Sequence, residues 1–64
     1  MINIAQIGVG YWGPNLLRNL VENNNCEVKM VVDLSEERRE FVKGLYPLIK
    51  VTEKVNEVFN DPEI

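Results

Sequence analysis

The sequence has no histidine and a single cysteine, Cys26, in 64 residues. A disulfide within the chain is therefore excluded. Without a C-x-x-C pair or an imidazole, a metal site is not expected. A basic cluster is also missing. Seven Lys and Arg stand against ten Asp and Glu, for a net charge of -3, which argues against nucleic acid as a partner. Long hydrophobic runs are lacking too. The apolar stretch after Met1 is interrupted at Gly8, too early for a secretion-signal core or a membrane span. The expectation is a soluble, cytoplasmic protein that engages neither membrane nor nucleic acid.

Size sets a further limit. A chain of 64 residues has room for one small domain or part of a larger one. A unit of this size buries only about 60% of its extended surface, so its core is marginal. No internal repeat, linker or low-complexity stretch interrupts it.

What is present is a pattern of alternating elements. MINIAQI, stopped by Gly8, reads as a buried strand ended by a turn. From Pro14 onward, Leu16, Leu17, Leu20 and Val21 recur at helical spacing, opposite Arg18, Asn19 and Glu22. Asn23, Asn24 and Asn25 should stop that helix, since Asn tolerates a left-handed cap. CEVKMVVD, residues 26 to 33, is a second strand. Its first half alternates, and its last apolar residues suggest cover on both sheet faces.

Ser35 is a natural N-cap, with Glu36 and Glu37 in the first turn of a second helix. Phe41, Val42 and Leu45 form that helix's apolar stripe, and Gly44 is its expected stop. Tyr46-Pro47 is a turn and residues 48 to 51 a short third strand. A third helix should follow Thr52, placing Val55, Val58 and Phe59 on one face before Asn60-Asp61-Pro62. The order β-α-β-α-β-α implies an α/β fold. Right-handed crossovers would join a three-stranded parallel sheet in the order 3-2-1, half of a Rossmann fold.

The motif that carries chemistry is IGVGYWG. Gly8, Gly10 and Gly13 stand in the spacing G-x-G-x-x-G, between a strand and a helix. Asp33 ends the next strand, 20 positions after Gly13. That context is the fingerprint of a dinucleotide site. Gly8 permits the tight turn, Gly10 lets a pyrophosphate approach the backbone, and Gly13 allows close packing of helix on sheet. Phosphates would meet unpaired N–H groups and the positive end of the helix dipole.

Asp33 can accept from both hydroxyls of an adenosine ribose; its alternative role is capping the second helix. Leu34 and Ser35, which follow it, offer no cation to a 2′-phosphate, so NAD is the expected cofactor rather than NADP. Arg38, one turn into the second helix, is placed to lie over an adenine, although Arg38 and Arg39 also suit a solvated helix face. Tyr11 and Trp12 bring backbone N–H groups to the loop. Their rings either cover the start of the first helix or wall the nicotinamide and substrate. Cys26 reads as a small buried residue. The candidate cofactor-binding set is thus Gly8, Gly10, Tyr11, Trp12, Gly13, Asp33, Leu34 and Arg38, with no catalytic residue assigned.

At IGVGYWGPNLLRNL the sequence resembles the glucose–fructose oxidoreductase and inositol dehydrogenase (Gfo/Idh/MocA) family. Its G-Y-W-G-x-N loop is similar to that of the branch acting on sugars and sugar nucleotides. VVDLSEERREF and VNEVFNDPEI are similar to the family's second strand and helix and to its lead-in to strand four. The resemblance implies an N-terminal Rossmann domain that binds NAD(P), followed by a larger substrate domain, and hydride transfer to or from a sugar carbon. It also implies that residues 1–64 form only the first part of that Rossmann domain. The family's Glu-Lys-Pro motif has no counterpart here, and Lys29, Lys43, Lys50 and Lys54 receive no catalytic role.

Two other classes compete. One is a non-catalytic nucleotide-binding or scaffold module. The other is a methyltransferase, against which the G-x-G-x-x-G spacing weighs. If strand one lacks a fourth strand beside it, Ile2 to Ile7 becomes an open edge with no Pro, charge or bulge signal. Self-association through that edge as a homodimer is then expected.

Overall fold

A computed structural model of the chain describes residues 2–10 and 13–64. The readings made for Tyr11 and Trp12 lie outside the described residues. Three strands, β1 (Ile2–Ile7), β2 (Cys26–Val32) and β3 (Lys50–Thr52), alternate with helices α1 (Gly13–Glu22), α2 (Glu36–Leu45) and α3 (Asn56–Phe59). The strands form a parallel sheet in the order β1-β2-β3, with β2 in the middle. The expected element order and strand order are both present. No helix among the described residues is long and apolar enough to cross a membrane.

Burial explains why α1 and α2 lie where they do. Leu17 of α1 and Val42 of α2 pack with Val9, Val28, Val31 and Ile49 in one buried cluster. Both helices therefore cover the same sheet face, as successive crossovers of one hand require.

The pairing of β1 with β2 contains an irregularity. Ile4 lies opposite Val28, but Ala5 lies opposite Met30, so Lys29 is an extra residue in β2. An inserted residue flips the parity of every later side chain. Val28 and Val31, three apart, consequently share the helix-covered face. Met30 and Val32 are buried outside that cluster, on the opposite face. The break in alternation within CEVKMVV records this bulge.

Several local expectations need correction. β1 is not a buried strand: only Gln6 in it is buried, and Ile2 and Ile7 are exposed. The cause is its position at the edge, paired on one side by β2. The helix α1 does end at Glu22, but no described residue other than glycine has a positive φ. Instead the Asn23 side chain accepts from the Asn25 N–H at 2.8 Å, a local turn that competes with the helix.

Gly44 is not a stop, because α2 continues to Leu45. Tyr46 ends it, with its N–H still donating to the Val42 carbonyl at 2.8 Å. A residue before proline is driven away from helical φ and ψ, which places the boundary at Tyr46-Pro47. That turn extends to Ile49, whose N–H donates to the Tyr46 carbonyl at 3.0 Å. Hence β3 starts at Lys50, two residues later than expected.

α3 is a single turn with no buried residue, and Val55 and Phe59 are exposed. Of its expected apolar face only Val58 is half-buried. Thr52 Oγ1 accepts from the Lys54 N–H at 3.1 Å, holding a turn where a longer helix would begin. Cys26 is half-buried, its thiol donating to the Leu20 carbonyl.

Candidate functional site

The glycine loop leaves β1 at the carboxyl end of the sheet, where parallel α/β sheets bind ligands. Gly8 has φ +87° and Gly10 φ +48°, a region that L side chains enter at a cost. Among the described residues other than its chain neighbours, no atom lies within 4 Å of where a Cβ on Gly10 would stand. No described residue crowds the backbone at Gly10, as close approach of a ligand demands. Gly13 differs. A Cβ there would meet Gln6 Nε2 and Val9 Cγ1 at 3.3 Å and the Gly8 carbonyl at 3.4 Å. Glycine at this position lets α1 start tight against the end of β1.

The loop is tied internally more than the sequence suggests. The Gly8 N–H donates to the Val32 carbonyl at 2.7 Å. The Val9 N–H donates to Asp33 Oδ2 at 2.8 Å. The first two N–H groups of the loop are thus occupied within the chain, a correction to the view of a loop of unpaired donors. An anion must be met by groups further along, towards Gly10 and the start of α1.

Asp33 occupies the junction of β2 and α2. Its Oδ1 accepts from the Ser35 N–H at 2.9 Å while Oδ2 holds Val9. The Ser35 N–H holds its carboxyl below the ordinary carboxylate range, opposed by partial burial. The Val9 N–H and the positive charges of Arg38 and Arg39 lower it further. At neutral pH this group is a carboxylate. Each oxygen has a second lone pair, so two ribose hydroxyls can still be accepted. Ser35 is the N-cap of α2, its Oγ accepting from the Arg38 N–H at 3.3 Å. Helix capping and ribose binding therefore do not compete for Asp33.

Beside Asp33 lies an open cleft of about 430 Å³. Ile7 and Gly8 line it from the first strand, Val32, Asp33 and Leu34 from the second, and Glu53 and Val55 from the segment after β3. Of the expected site residues, the structure brings Gly8, Asp33 and Leu34 together here, with Gly10 and Gly13 in the adjoining loop. Arg38 is exposed on α2 and does not line the cleft. Its neighbour Arg39 is the one held at the junction, Nη1 donating to the Asp33 carbonyl at 2.9 Å.

Comparison with family models, with curated proteins and with solved structures finds no match to this chain.

Gln6, Val9 and Glu53 carry no role in the sequence pattern, Arg39 is expected there on a solvated helix face, and Val55 on the apolar face of the third helix. Gln6 had a signal. A polar side chain shares a strand face with Ile2 and Ile4, where the period of two calls for an apolar residue. Glu53 and Val55 had none, because their place at the cleft depends on where β3 ends.

Proposed function

We propose that this chain is the adenosine- and pyrophosphate-binding part of an NAD site. The observation that carries the reading is the pairing of an open glycine loop with an ionised Asp33 across one hydrogen bond. The chain's residues suit the cofactor part by part. The start of α1 offers its N-terminal dipole to the diphosphate. Asp33 accepts from the ribose hydroxyls. Ile7, Val32, Leu34 and Val55 supply apolar walls for a purine ring, and Glu53 stands at the rim.

When bound, the nicotinamide would supply hydride transfer. In keeping with the resemblance to Gfo/Idh/MocA oxidoreductases, the substrate would be a sugar or sugar nucleotide. No residue of this chain is assigned to that step. Turnover by the 64-residue chain alone is not expected, and its own affinity for NAD should be weak, since nothing in it is assigned to the nicotinamide. Titration with NAD and NADP, followed by residue-resolved NMR, tests the reading. Shifts should concentrate at Gly8, Gly10, Asp33 and Leu34 with NAD. A uniform or absent response at saturating NAD overturns it.

A further inference from the structure

Gln6 is the only buried polar residue among those described, with 7% of its surface exposed. Its Nε2 donates to the Gly8 carbonyl at 3.0 Å and to the Gly13 carbonyl at 3.2 Å. Those carbonyls belong to the first and last glycines of the loop. The amide is oriented by them, since an oxygen in the place of Nε2 would face two acceptors. Gly13 is also the residue that makes room for this amide, because its Cβ would stand 3.3 Å from Nε2. One side chain thus spans the loop and closes it from beneath.

The arrangement has a cost. Gln6 Oε1 is buried and finds no partner among the described residues, and an unsatisfied buried acceptor is unfavourable. A methionine or leucine would fill the same space without that penalty.

We infer that Gln6 is a positioning residue for phosphate binding. Carbonyl oxygens repel an anion, and N–H groups attract it. By engaging the Gly8 and Gly13 carbonyls, the Gln6 amide turns two repelling oxygens towards itself and holds the two ends of the loop in place before a diphosphate arrives. This inference rests on the dinucleotide reading and adds to it a residue outside the glycine motif that governs affinity for the phosphates and not for the nucleoside.

The test compares ADP with adenosine on the wild-type chain and on Gln6→Met, reading the amide signals of Gly8, Gly10 and Asp33. In the variant, ADP affinity should fall about tenfold, equivalent to about 1.4 kcal/mol. Adenosine, sensed at Asp33, should bind equally well to both. Equal weakening of the two ligands means a merely structural role and overturns the inference, as does unchanged ADP affinity. If the variant fails to fold, the wild-type Gln6 side-chain amide protons decide. They should exchange slowly and shift with ADP but not with adenosine; rapid exchange, or no selective shift, overturns the inference. Failure of the underlying reading looks different: the wild-type loop would then ignore ADP altogether.

Discussion

The Val9 N–H donates to Asp33 Oδ2 across 2.8 Å, joining two residues 24 positions apart and making the ribose-binding candidate also the anchor of the phosphate loop. The two halves of the candidate site are therefore mechanically coupled. Disturbing Asp33 should alter the loop even when no nucleotide is present.

Asp33→Ala should accordingly destabilise the chain. It leaves the Val9 and Ser35 N–H groups without their acceptor, a loss of about 1–3 kcal/mol. Chemical denaturation monitored by circular dichroism measures it. Loss of stability within a few tenths of a kcal/mol would show that the two hydrogen bonds do not hold the loop.

Acid should have a related effect. The folded-state pKa of Asp33 is lowered, so its carboxylate contributes stability above the ordinary carboxylate pKa. That contribution is lost as pH falls towards the depressed folded value. Stability of the wild type should decline in this acidic window, and Asp33→Ala should decline less steeply. Parallel pH profiles for the two proteins would contradict the assignment.

Gly10→Ala separates folding from binding. No described residue beyond its chain neighbours crowds a methyl group there, so the variant should fold with a backbone cost of about 1–2 kcal/mol from the left-handed φ. Valine would add β-branched strain, which makes alanine the cleaner choice. Its methyl group would stand where a pyrophosphate approaches, and NAD binding should be lost. Retained affinity in a calorimetric titration of the folded variant would mean that the loop does not carry phosphate.

The edge of β1 carries a prediction about assembly. Ile2 and Gly8 direct their N–H groups to the β2 side, so by alternation Asn3, Ala5 and Ile7 direct theirs to the open edge. A two-fold axis through Ala5 would pair Asn3 with Ile7 of a second copy in an antiparallel ladder. No charged residue lies in β1 to oppose it. Sedimentation equilibrium should give twice the 7.4 kDa chain mass, and Ala5→Lys should return it to a monomer. A folded wild-type monomer at high concentration would contradict this prediction.

The elements were legible in the sequence where local chemistry decides them. Ser35 caps α2 as its hydroxyl requires, and Leu17 and Val42 meet the sheet with Leu20 beside them, whereas Leu16, Val21, Phe41 and Leu45, expected on the same apolar stripes, stay exposed because each helix covers the narrow sheet along one line only. The roles of Gly8 and Gly13 followed from the strand–turn–helix context, and their φ and packing agree. What depended on distant partners was not legible. Leu48 and Ile49 look like strand residues, but Pro47 draws them into a turn. Lys29 breaks the register of β2 only because β1 is its neighbour. The engagement of Asp33 with Val9 and the span of Gln6 across the loop both require two segments to be placed before either bond can be seen.

A paired titration of the wild-type chain with NAD and NADP, read at Asp33 and Gly10, tests the dinucleotide site itself. A 2′-phosphate would face the ionised Asp33 carboxylate with Leu34 and Ser35 offering no cation, and each 1.4 kcal/mol of repulsion is about a tenfold loss of affinity. NAD should shift both signals with an affinity at least about tenfold higher than that of NADP. Equal affinities, or shifts that avoid both residues, would contradict it.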